Sequence, residues 1–121
     1  MDAETFESIV IEALDTLPPE FARYLENVEI QIEARPTHEH RRAVGLKPWQ
    51  TLYGLYQGVP LTVRSSSALL MPDLITLFQE PLEHDFPGLD QLRVQVRRTL
   101  LHEIAHFFGI SDARLRELDA Y

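Results

Sequence analysis

A chain of 121 residues has the length of one ordinary domain, and 45% hydrophobic with 25% charged residues is the balance of a globular protein. The absence of cysteine excludes disulfides, thiolate nucleophiles and Cys-ligated zinc or iron–sulfur sites, so any transition-metal site has to use His, Asp and Glu. A net charge of −8 opposes nonspecific binding to nucleic acid, and no apolar run is long enough to span a membrane.

The chain reads as a single domain, 1–121, with neither nucleic-acid nor membrane partners. Its start, MDAETFESIV, lacks the positive charge and apolar stretch of a secretory signal, so a cytoplasmic location is expected. The arginine pairs Arg41–Arg42 and Arg97–Arg98 are too short to outweigh the acidic balance and read as solvated surface charge.

Phe6, Ile9, Val10, Ala13, Leu14 and Leu17 recur at helical spacing, and Asp2 can cap that first helix. Pro18 and Pro19 stop it, and Pro19 can open a short second helix carrying Phe21, Tyr24 and Leu25. Val28, Ile30 and Ile32 alternate with Glu29, Gln31 and Glu33, the pattern of a strand with one buried face. Residues 35–48, RPTHEHRRAVGLKP, have no clean period and read as a mobile surface loop. Residues 52–63, LYGLYQGVPLTV, fit a strand, a turn and a second extended piece. DLITLFQE, residues 73–80, reads as a strand that Pro81 ends.

The longest helix is expected from about Gln91 to Phe108, with Asp90 as its cap and Leu92, Val96, Leu100, Ile104 and Phe108 facing the core. Gly109 ends it, and Ser111 or Asp112 can cap a last short helix carrying Leu115 and Leu118. The fold class is therefore α+β: an N-terminal helix, a small mixed sheet and a C-terminal helix pair.

Residues 102–106 read His-Glu-Ile-Ala-His on that helix. Side chains four apart lie one above the other, so two imidazoles can reach one ion at about 2.0–2.1 Å each. Glu103 is one step round the helix, placed to work on a metal-activated water without ligating the metal. That is the donor pattern of metal-assisted hydrolysis. A catalytic zinc usually takes a third protein ligand and keeps one position open. Gly109 lets the chain turn back, so Asp112 is the expected third ligand, with Glu117 and Asp119 as alternatives.

Other polar residues are more simply explained as surface or core. His38, Glu39 and His40, and His84 with Asp85, could approach a metal but read as solvated loop and turn. Thr99 and Gln95 lie on the motif's side of the helix and could hydrogen-bond the histidines. Tyr53 and Tyr56 could donate to an oxyanion, although aromatic residues in a small sheet are more often core. Trp49 has no assigned role.

On the stretch VRRTLLHEIAHFFGISDARLREL, together with LYGLYQGVPLTVRSS from Leu52 and LPPEFARYLENV from Leu17, the chain resembles the minimal bacterial zincin-like metallopeptidases. The resemblance implies a zincin fold reduced to its core, one zinc ion per chain, His102, His106 and Asp112 as ligands, and Glu103 as catalytic base. It implies a peptide or protein substrate. Metzincins carry a third histidine where Asp112 stands, and then a methionine turn, but no methionine follows Met71 here. Thermolysin-like enzymes draw a glutamate from a further helical domain, for which the 15 residues after His106 leave no room. A partner could complete the substrate cleft. The alternative is a non-catalytic zinc-containing domain that binds a peptide or protein.

Overall fold

The computed structural model describes residues 1–58 and 72–117. Helix α1, Ala3–Asp15, begins at Asp2, whose carboxylate accepts from the Thr5 amide at 2.8 Å. This ties down one of the amides that a helix start leaves without a partner. A 3-10 turn, Pro19–Leu25, follows, with Pro19 supplying a preset φ at its first position. Strand β1 is Val28–Glu33.

Two expectations for the middle of the chain need correction. Residues 35–48 are not simply loop, because α2, His38–Ala43, forms within them. Thr37 accepts from the His40 amide at 3.1 Å, and the His40 ring meets the Thr37 amide at 3.0 Å, so the start of this short helix is capped from both directions. Arg41 then donates to the carbonyls of Lys47, Pro48 and Gln50 and gathers the following turn.

Strand β2 is Gly54–Gln57, and the second extended piece expected after it lies outside the described residues. Strand β3 is Asp73–Phe78, and the chain then enters α3, Gln79–Asp85. The residues expected to extend that strand instead begin a helix. Pro81 sits in its first turn, where a missing amide hydrogen costs nothing.

The sheet order is β1-β3-β2, with β1 parallel and β2 antiparallel to β3. The central position of β3 explains its composition, since Ile75, Leu77 and Phe78 are fully buried.

Helix α4, Leu89–Phe108, is preceded by Gly88, not capped by Asp90. Its buried stripe of Leu92, Val96, Leu100, Leu101 and Ile104 packs with Phe6, Ile9 and Val10 of α1 and with Ile75 and Leu77 of the sheet. Phe108 departs from the expected stripe and is 39% exposed. Helix α4 approaches β2 closely at Gly54, where a Cβ would lie 2.8 Å from Thr99 Cγ2. Gly109 takes φ 73°, the left-handed conformation that ends α4. Helix α5 is Asp112–Glu117; Ser111 accepts from the Arg114 amide at 3.1 Å, so Ser111 is its cap and Asp112 its first residue. Among the described residues, no helix is long and apolar enough to cross a membrane.

Candidate metal centre

Helix α4 fixes the positions of His102, Glu103 and His106. Its apolar stripe pins one side to the core, and His102 and His106, one turn apart, share a neighbouring face. His102 is half-buried and His106 is exposed. Their ring centres are 6.2 Å apart, with 38° between the ring planes. Two imidazoles sharing an ion at about 2.0–2.1 Å per bond cannot have ring centres more than about 6.4 Å apart, and a tetrahedral angle draws them in by about 1 Å. The observed spacing is inside that bound and about 1 Å wider than a tetrahedral ion would hold the rings.

Burial holds the His102 pKa below its ordinary value; the nearby charge of Asp112 opposes this, and His106 and Arg98 reinforce it. The neutral ring is thereby favoured, which is the form that binds a metal.

Glu103 is turned toward the sheet. Its Oε1 accepts from the backbone amide of Tyr56 at 3.0 Å. Strand pairing makes this possible. Opposite Leu77 and Ile75, Gly54 and Tyr56 occupy the pairs of β2 that do not bond to β3, while the Phe78 amide bonds to the Tyr53 carbonyl at 2.9 Å. The Tyr56 amide therefore points away from β3, toward α4. Burial raises the Glu103 pKa, and the Tyr56 hydrogen bond and the nearby His106 oppose that shift.

Asp112 lies one residue beyond its cap Ser111, near enough for its charge to act on His102. It does not join the two histidines in a compact cluster: among the described residues, no three His, Asp or Glu side chains stand close enough together to hold an ion. Glu117 pairs with Arg114 at 2.9 Å, and Asp119 lies outside the described residues. The donor set thus suits a divalent ion in chemical type, while the two rings and Asp112 stand further apart than a shared ion would hold them.

The remaining candidates are engaged elsewhere. The Tyr53 hydroxyl donates to Asp85, and the Tyr56 hydroxyl donates to Asp73 at 2.9 Å, so neither is aimed at an oxyanion. Gln95 donates to Thr99 at 3.2 Å, and Thr99 packs at Gly54. His40 caps α2, and His84 lies 2.9 Å from Asp85. Trp49 is 77% exposed with Lys47 over its ring.

Sequence reasoning considered the hydroxyl of Tyr56 and missed its amide, which is what meets Glu103. Strand parity is the only signal that could have found it. It also missed the aromatic border of the site. Phe107 stacks on Tyr56 with ring centres 3.9 Å apart, and Phe108 lies 4.6 Å from Tyr24.

A conserved hypothetical protein from T. thermophilus has a similar structure, with a TM-score of 0.59 and 22% identity over 89% of this chain and 94% of that one. At that identity the likeness shows the fold, a minimal zincin-like α+β arrangement. Comparison with curated proteins found no match. The family model for zincin-like metallopeptidases matches residues 25–121, which include the sheet, α4 and the whole His-Glu-Ile-Ala-His run, and the chain belongs to that family.

Proposed function

We propose that the chain is a zinc-dependent peptidase that holds one zinc ion through His102, His106 and Asp112 and hydrolyses peptide bonds with Glu103 as general base. The observation that carries this reading is the placement of Glu103. It adjoins the histidine pair, yet its carboxylate is set against β2 and oriented by the Tyr56 amide at 3.0 Å.

A zinc ion held there would supply an acidified water and polarise a carbonyl. Glu103 is placed to take a proton from the attacking water and to pass it to the departing nitrogen. Burial raises its proton affinity, the direction that suits a base working near neutral pH. The Tyr56 amide keeps the carboxylate in one orientation and so limits the reorganisation each proton transfer needs.

Residues 73–80 do not supply the strand edge that aligns a substrate, because β3 is flanked on both sides. The outer side of β2 among the described residues takes that role in this reading, through the main-chain groups of Gly54 and the carbonyl of Tyr56, whose amide is held by Glu103.

Glu103→Gln tests the mechanism. The variant should retain one zinc per chain by elemental analysis while peptide hydrolysis falls by about 10²–10⁴-fold. Full activity in that variant would show the base to be misassigned. A wild-type protein that keeps its zinc and cleaves no member of a broad peptide library would instead support the non-catalytic, peptide-binding alternative.

A further inference from the structure

On the opposite side of the sheet from β2, β1 is the outer strand of the described residues. The Asp73 amide bonds to the Asn27 carbonyl at 2.9 Å, and in a parallel ladder this parity turns the main-chain groups of Glu29 and Gln31 toward β3. Val28, Ile30 and Ile32 therefore direct their N–H and C=O groups outward. Their side chains are only half-buried, whereas Ile75 and Leu77 beside them on β3 are fully covered.

Alongside runs a groove of about 510 Å³, floored by Val10, Leu14, Ile30 and Ile32. Ile11, also on its wall, is 51% exposed. The rim is acidic: Glu7 and Glu33 line it, and α1 contains no basic residue. Arg35, two residues beyond Glu33, is already paired with Glu80 at 3.0 Å, and the His40 ring lies 3.7 Å from Glu33.

We propose that this edge and groove form a docking surface for an extended segment of a partner protein in which apolar residues alternate with lysine or arginine. Main-chain pairing would be made with Val28, Ile30 and Ile32. Alternate apolar side chains would fill the groove, and the basic ones, on the opposite face of the added strand, would meet Glu29 and Glu33. The same charges argue against a second copy of this chain. Antiparallel pairing of β1 with itself would set Glu29 and Glu33 against their own kind, the arrangement by which exposed edges resist self-association. The surface is separate from the metal centre, since β3 and β2 intervene, and it does not depend on the peptidase reading.

The test uses a short capped peptide alternating valine and lysine, with a valine–glutamate peptide as control, added to the full chain. Amide-resolved NMR should show shifts and hydrogen-exchange protection at Val28, Ile30 and Ile32, little change at His102 and His106, and no binding of the acidic control. Glu29→Lys combined with Glu33→Lys should weaken binding by about tenfold, and raising salt from about 0.1 to 1 M should weaken it as well. Perturbation confined to the α4–β2 side, equal binding of the acidic peptide, indifference to the charge reversals, or sedimentation showing a dimer closed through β1 would each overturn the proposal.

Discussion

Gly54 and Thr99 show what a single atom decides at the contact between α4 and β2. Glycine is a poor strand residue, and alanine would suit β2 better on backbone grounds. Space forbids it: a Cβ would stand 2.8 Å from Thr99 Cγ2 and 3.3 Å from the Thr76 carbonyl. Gly54→Ala should therefore lower stability by about 1–3 kcal/mol in urea unfolding. Adding Thr99→Ser removes the clashing methyl and should recover much of the loss. If the double variant were no better than the sum of its parts, the close approach would not be the cause. Tyr53 gives a second test at this scale. Burial, with the hydrogen bond to Asp85 and the Asp85 charge adding to it, pushes its pKa up to about 12. Asp85 is held below the usual carboxylate range by the hydrogen bonds from Tyr53 and His84. A raised tyrosine contributes stability that is complete below its ordinary pKa of 10.0 and is lost as pH rises through about 12. A depressed aspartate contributes stability that is complete above 3.8 and is lost as pH falls through its lowered value. One of the four tyrosines should accordingly resist phenolate formation until about pH 12, and Asp85→Asn should return it toward 10 in a spectrophotometric titration. A wild-type titration with every tyrosine near 10 would mean that this contact does not persist in solution.

At the scale of elements, the sequence was most readable where a strong period coincided with explicit stop signals. α1 has both, in the stripe from Phe6 to Ala13 and in Pro18–Pro19. α4 has both as well, in the stripe from Leu92 to Ile104 and in Gly109, and this is why the histidine pair could be placed on one face from the sequence. Reading failed where the deciding contact is tertiary or very local. α2 is too short to show a period, and its start depends on a reciprocal Thr37–His40 cap that apolar patterning does not register. The run 73–80 is uniformly rich in β-formers, so only the docking of α3 against α4 and the core position of Leu82 mark where the strand ends. Phe108 obeys the helical period but falls at the last turn, where it meets Tyr24 and Tyr56 instead of the core. Asp112 was legible as a candidate ligand, but its distance from the histidines is set by the entry to α5, which composition does not specify. That entry is testable. Ser111 caps α5 through the Arg114 amide at 3.1 Å, and losing such a cap costs about 1 kcal/mol. Ser111→Ala should loosen the first turn of α5 in hydrogen exchange. If Asp112 is the third ligand, the variant should also weaken zinc binding about fivefold in chelator competition. Asp112→Ala should weaken it far more. Unchanged affinity in both variants would remove Asp112 from the ligand set.

For the whole molecule, the question is whether metal is needed to fold it. The buried cluster joins α1, the Pro19–Leu25 turn, the sheet, α3, α4 and α5 through Phe6, Phe21, Ile75, Leu82, Leu100 and Leu115, and none of these side chains depends on a metal ligand for its burial. A domain of this size with a continuous apolar core can stand without the large contribution that zinc makes to classical zinc fingers. The zinc-free chain should therefore keep its helical circular dichroism and unfold cooperatively. Zinc that binds only the folded state then adds stability by mass action, about 2.7 kcal/mol at one hundred times its dissociation constant. For a chain of this length that corresponds to a rise in Tm of roughly 10 °C. His102→Ala and His106→Ala should each abolish the rise while leaving the zinc-free Tm within a few degrees, because neither ring is part of the apolar cluster. Collapse of the circular dichroism on chelation would show that the ion helps to build the fold and would recast it as structural. A zinc-dependent rise that survives loss of both histidines would place the ion away from α4 altogether.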